Sequence, residues 1–79
     1  MTYKLDFTPD AKKEWEKLGH TVREQFKNKL QQRLITPHVP KDRLHGFINV
    51  YKIKLRAAGF RLVYEVFDKE ILVLVLAIG

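Results

Sequence analysis

In the stretch VYKIKLRAAGFRLVYEV, residues 50–66, four cations recur at Lys52, Lys54, Arg56 and Arg61. A lysine crowded by other cations has its pKa lowered, because protonation adds like charge to the site. An arginine cannot serve as a base at all, but its guanidinium suits bidentate contact with phosphate. Such a set can simply hold RNA. It can also cleave RNA without a metal. Attack of a ribose 2′-oxygen on its own phosphate needs a proton acceptor, charge stabilisation on the phosphoryl oxygens and a donor for the leaving 5′-oxygen. Lys54 is the most crowded of the cations, with Lys52 beside it and Arg61 across the turn. The bland alternative is a group of solvated side chains whose repulsion is screened by salt.

Other chemistries find less support. With no cysteine there is no disulfide, thiolate metal site or thiol nucleophile, which fits a reducing cytoplasm. Asp6, Asp10, Glu14 and Glu16 look like capping and surface charge rather than an acid/base pair, and no His/Asp/Glu spacing resembles a metal site, so no metal or other cofactor is expected. His20 and His38 read as surface residues; His45, in RLHGF just before the cations, is a candidate for proton transfer. Gly46 and Gly59 are isolated turn glycines, not a phosphate loop. The formal net charge of +6 is uneven. Residues 41–61 hold six Lys/Arg against one acid, whereas residues 62–79 hold one against three. A focused excess of this kind suits a polyanion. The longest apolar run, ILVLVLAI, is far short of the ~20 residues that span a bilayer, so no membrane partner is expected.

The elements that must position these cations follow from spacing. Tyr3, Leu5 and Phe7 alternate with Lys4 and Asp6 as a short strand. Thr8, Pro9 and Asp10 then open a helix with an Ala11–Trp15–Leu18 stripe, and Gly19 is placed to end it. Thr21–Glu24 matches a capping box for a second helix, in which Val22, Phe26, Leu30 and Leu34 recur every four residues until Pro37. After a loop, strands are expected at about 49–56, 60–67 and 71–78. The fold class is therefore α+β, in the order β-α-α-β-β-β, with a helical hairpin packed on one face of a largely antiparallel four-stranded sheet. Seventy-nine residues make a single domain.

Burial fixes the hairpin register. Pairing Leu55 with Phe60 around the turn RAAG sets Ile53 opposite Leu62 and Tyr51 opposite Tyr64, so one face is apolar. A one-residue slip would set Ile53 against Arg61. The accepted register gathers Lys52, Lys54 and Arg61 on the other face. For the last strand, a three-residue turn at DKE pairs Phe67 with Ile71 and Val63 with Val75. Leu72, Leu74, Leu76 and Ile78 are then expected on the core face. Val63, Phe67, Ile71, Val73, Val75 and Ala77 are expected on the cationic face, as a docking surface for a partner or for a segment following Gly79.

The ordered set DFTPDAKKEWEKLG, TVREQFKNKL, RLHG, YKIKLRAAGFRLVYEV and ILVLVLAIG resembles the RelE family of toxins through the whole chain. The resemblance implies a ribosome-dependent endoribonuclease that cuts mRNA in the A site by 2′-oxygen attack and halts translation. It also implies 16S rRNA contacts, a RelB-type antitoxin, and repression of its own operon through the antitoxin complex, which alone binds operator DNA. Lys52, Lys54 and Arg61 match the family's catalytic basic positions, the lysines with base and electrostatic roles and the arginine on the transition-state phosphate. Arg43, His45 and Arg56 are further RNA contacts, with His45 standing where close relatives carry an arginine. Relatives continue past the last strand with a basic tail and helix that supply an arginine, proposed as general acid, and a base-stacking tyrosine. A domain of residues 1–79 truncated after the last strand, with impaired activity, is accordingly expected. A non-catalytic RNA- or antitoxin-binding module and a ParE-like gyrase-directed toxin are the alternative readings.

Overall fold

The computed structural model describes residues 2–79. Its elements run β1 (Lys4–Phe7), α1 (Pro9–Lys17), α2 (His20–Ile35), a 3-10 turn (Pro40–Asp42), β2 (Val50–Leu55), β3 (Phe60–Phe67) and β4 (Leu72–Ile78). The sheet order is β1-β4-β3-β2, with β2–β3 and β3–β4 antiparallel and β1 parallel to β4. This is the expected α+β architecture, with β1 joining at the edge next to β4.

Local chemistry explains the helix boundaries. The Thr8 hydroxyl accepts from the Ala11 N–H at 3.2 Å, and Pro9 occupies the first helical position, where its missing N–H costs nothing. α2 departs from expectation: it starts at His20 with Gly19 as N-cap and no side-chain cap, so Thr21 lies inside the first turn. The connection is shorter than a capping box at Thr21 would require. Thr36 closes α2 directly before Pro37.

The helices bury Ala11, Leu18, Phe26 and Leu30 against one face of the sheet, where Ile53, Leu55, Leu62, Tyr64, Val66, Val73, Val75 and Ile78 meet them. Phe7, Trp15 and Phe26 pack in sequence as tilted rings, with centroids 5.2 Å and 6.5 Å apart. The β2–β3 ladder has the register that burial demands: Leu55↔Phe60, Lys54↔Arg61, Ile53↔Leu62 and Tyr51↔Tyr64.

The β3–β4 register differs from expectation near the turn. Phe67 pairs with Leu72, not Ile71, because the connection has four residues. Its last, Ile71, takes φ 50°, a conformation that a β-branched residue rarely adopts. The shift by one residue turns Val73 and Val75 into the core, both 0% exposed, and sends Leu72 and Leu74 to the other face. A bulge then restores the expected parity. Val63 pairs with Ala77 while Tyr64 pairs with Val75, so Leu76 is the extra residue, and Ile78 returns to the core. The Leu76 carbonyl, outside the regular ladder, accepts from the Thr8 hydroxyl at 3.2 Å, which ties the start of α1 to the bulge. Val73 and Val75 are thus core residues and not part of a docking surface.

This register makes an ordering that side-chain size alone would reverse. Val75→Ala should destabilise the protein by about 2 kcal/mol, from two buried carbons at about 0.8 kcal/mol each plus a cavity contribution. Leu74→Ala should cost clearly less, although it removes more atoms. Urea unfolding of both variants checks this, and the reverse order would reject the register.

Candidate phosphate-binding site

The β2–β3 hairpin positions the cations. Lys54 lies directly opposite Arg61, and Lys52, one pleat along on the same face, lies opposite Val63. Lys54, Arg56 and Arg61 are exposed and Lys52 is half-buried. Strand backbone on both sides holds the set: Arg61 exchanges backbone hydrogen bonds with Gly79, at 2.7 Å and 2.9 Å. Beside the cluster opens a hollow of about 500 Å³ whose lining includes Lys54, Arg56, Phe60, Arg61, Ala77 and Gly79. Its lining contains no Asp or Glu side chain.

The crowding has a definite electrostatic result. The Lys54 ammonium is held below the usual lysine range, first by Lys52 beside it and then by Arg61 across the ladder, with desolvation and Arg56 adding to the effect. Lowering the pKa enlarges the fraction of neutral amine, the form that can accept a proton. The arrangement can therefore bind a phosphate through Arg61 and Lys52 and offer it a base.

Arg43 and His45 lie apart from this cluster. They stand exposed on the loop that runs back along β2, where Arg43 bridges Tyr51 and the Leu44 N–H donates to the Val50 carbonyl at 2.8 Å. Neither side chain hydrogen-bonds to the cluster among the described residues. On the same sheet face as the cations, Val63, Phe67, Leu72 and Leu74 are half-exposed. Ile71 sits in the turn, where its carbonyl accepts from the Lys4 N–H at 2.8 Å.

Two polar networks that support the hairpin went unpredicted. Arg33 donates to the Tyr64 hydroxyl at 2.9 Å, the Lys52 carbonyl at 3.3 Å and the Asp42 carboxylate at 2.6 Å. Tyr64 in turn donates to the Pro37 carbonyl at 2.8 Å. Burial pushes the Tyr64 phenol up, with Arg33 opposing the shift. The signal was present: two tyrosines opposite each other on the core face need partners for their hydroxyls. Arg33, three residues after Leu30, lies towards the same side of α2.

The second network links Tyr51, His38, Asp68 and Tyr3. His38 Nδ1 lies 2.8 Å from the Tyr51 hydroxyl, and its Nε2 lies 2.9 Å from Asp68 Oδ1. An ionised carboxylate only accepts, so Nε2 carries the proton, and in the neutral ring Nδ1 accepts from Tyr51. Tyr3 donates to Asp68 Oδ1 at 2.6 Å. His38 is thus exposed, as expected of a surface residue, and is also a structural tie.

The structure thus joins a helical hairpin on a four-stranded sheet to a cationic hollow beside its β2–β3 hairpin. The family model for the ParE toxin of type II toxin–antitoxin systems, parDE, matches residues 5–79, and the chain belongs to this family. It is 51% identical to the mRNA interferase toxin RelE of Escherichia coli strain K12, over 100% of this chain and 83% of that relative. The crystal structure of the isolated E. coli RelE toxin superposes with a TM-score of 0.95 at 51% identity, covering 98% of this chain and 82% of that one. The intact E. coli RelBE toxin–antitoxin complex also gives 0.95 at 51% identity, covering 98% of this chain and 94% of that one. A Mycobacterium tuberculosis RelBE2 complex, 17% identical with a TM-score of 0.75 over 100% of this chain and 91% of that one, shares the fold.

The tie around His38 has a pH signature. The hydrogen bond from Tyr3, and then that from His38, hold the Asp68 carboxyl below the usual carboxylate range. A depressed carboxylate contributes stability that is present above its unfolded pKa and lost as pH falls through the folded value. Thermal midpoints should therefore fall on acidification below the ordinary carboxylate range, and Asp68→Asn should flatten that dependence. An unchanged acid limb in the variant would remove Asp68 as its source.

Proposed function

We propose that this chain is an mRNA interferase: a toxin that cleaves mRNA on the ribosome through Lys52, Lys54 and Arg61, in the cytoplasm. The single observation that carries the site assignment is the Lys54↔Arg61 pairing with Lys52 on the same face. The 51% identity to the E. coli mRNA interferase toxin RelE supports the activity.

In the proposed reaction, neutral Lys54 takes the proton from a ribose 2′-hydroxyl. The 2′-oxygen attacks the adjacent phosphorus while Arg61 and Lys52 offset the charge that grows on the phosphoryl oxygens. The bond to the 5′-oxygen breaks and that oxygen takes up a proton from solvent, leaving a 2′,3′-cyclic phosphate and a 5′-hydroxyl. Arg56, and Arg43 and His45 on the neighbouring loop, hold RNA or ribosome around the reacting bond. No residue of the described chain is assigned as the proton donor to the 5′-oxygen.

A RelB-like antitoxin is the proposed protein partner, in line with the intact E. coli RelBE complex. Its docking surface on the sheet consists of Val63, Phe67, Leu72 and Leu74, the half-exposed apolar side chains beside the cations. Repression of the operon through that complex belongs to the same proposal.

The test is to incubate the protein with programmed ribosomes and map the mRNA ends. Lys54→Ala should slow cleavage by about 10²–10⁴-fold, as loss of a general base does, and Arg61→Ala by about 10²–10³-fold, as loss of a charge-stabilising group does. Because both substitutions relieve like-charge repulsion, neither should lower the thermal midpoint at low salt. A fall in both rate and stability would make the residues structural. Inhibition of gyrase with intact mRNA would favour the ParE-type activity instead.

A further inference from the structure

The cationic cluster borders a second groove. One hollow lies by Arg61, Phe60 and Gly79; the other, of about 560 Å³, has a lining that includes Gln25, Asn28 and Lys29 of α2 with Lys54 and Arg56 at the end of β2. Lys54, Leu55 and Arg56 line both, so the two adjoin at the tip of the hairpin. β2 is an edge strand, and no other strand lies between it and this groove.

The α2 wall of this groove carries no acidic side chain. Lys17 and Lys27 are each within ion-pair reach of a glutamate one turn away, at 3.7 Å and 3.4 Å. Lys29, like Lys12 and Lys13 of α1, has no such partner among the described residues, and the groove lining contains three cations, two side-chain amides and no carboxylate. Gln25, Asn28 and Lys29 are spaced i, i+3 and i+4, which puts them on one exposed face of α2, next to the buried Phe26 and Leu30. A helix face that serves only solubility mixes the signs of its charges. Here the cations continue those of the hairpin and add amides, which can pair with sugar hydroxyls and base edges.

We propose that the groove between α2 and β2 is a second phosphodiester subsite, which holds the RNA strand flanking the cleaved bond. Lys29 and Arg56 neutralise a neighbouring phosphate, and Gln25 and Asn28 contact its nucleoside. The proposal rests on the RNA-cleaving reading of Lys52, Lys54 and Arg61. The cationic border that Lys54 and Arg56 share between the two hollows favours a chain of regularly spaced anions over an acidic protein segment.

The experiment is single-turnover cleavage on programmed ribosomes as a function of protein concentration. The messages are either unmodified or carry a single neutral methylphosphonate at successive linkages on each side of the cleaved bond. Lys29→Gln should raise the half-saturating concentration by about threefold to tenfold, the effect of losing one phosphate contact at moderate salt, and leave the maximal rate unchanged. Lys29→Arg should behave as wild type. One methylphosphonate position should produce the same deficit in wild type and add nothing to Lys29→Gln. Additive effects at every position, or no effect of Lys29→Gln, would overturn the subsite. So would loss of antitoxin binding in Lys29→Gln with cleavage kinetics unchanged.

Affinity for ribosomes carrying a message with 2′-deoxyribose at the attacking position is measured in parallel. If the wild type cleaves nothing but its binding shows the Lys29-dependent methylphosphonate pattern, the nuclease reading fails and the subsite stands. If neither cleavage nor that pattern is present, both fail.

Discussion

The rest of the structure depends on the apolar pairing between β2 and β3. Ile53 against Leu62 and Leu55 against Phe60 place four side chains on the helix-covered face, two of them no more than 1% exposed. Because side chains alternate along a strand, the same pairing sends Lys52, Lys54 and Arg61 to the opposite face together. The repulsion among them cannot be relieved by a slip of one residue, since that would drive Arg61 into the core. Core packing therefore holds a cluster that electrostatics alone would disperse. The Lys54 ammonium, kept below the usual lysine range by Lys52 and Arg61, is the chemical consequence.

β4 adapts this hairpin to the helices. Its residues are apolar on both faces, so burial imposes little parity of its own. The backbone decides instead: a four-residue turn ending in Ile71 at φ 50° sets one parity, and the Leu76 bulge reverses it before Ile78. The bulge carbonyl receives the Thr8 hydroxyl. The irregularity thus fixes where α1 begins, and through Phe7, Trp15 and Phe26 it is linked to the packing of α2.

What could be read in the sequence follows from the same physics. The β2–β3 register was legible to the residue because apolar and charged positions alternate there, and only one pairing keeps Arg61 out of the core. The β3–β4 register was not, because ILVLVLAI offers the same apolar character in either parity, and a turn that places isoleucine in the left-handed region runs against its preferences. The chain order and the two helices were legible from capping residues and four-residue spacing, although Thr21 was mistaken for a cap. The Arg33 and His38 networks were not legible: their partners lie up to 65 residues apart in sequence, and only the tyrosine hydroxyls on the core face signalled a need for them.

Those networks bear on why the cations can be held in place at all. A site built from repelling groups has no internal attraction to define its geometry, so its order must come from the backbone that carries it. Arg33 supplies part of that order by binding the Lys52 carbonyl while it is itself fixed by Asp42 and Tyr64. Tyr51, stacked on Tyr64 at 5.6 Å, extends the support to His38 and the β3–β4 turn. Every one of these contacts lies behind or beside the strand, and none neutralises the cluster in front. A carboxylate among the cations would stabilise the fold and would also raise the pKa of Lys54, removing the neutral amine that a base requires. The protein is thus stabilised through the backbone of β2, which leaves the charges of Lys52, Lys54 and Arg61 available to a bound phosphate.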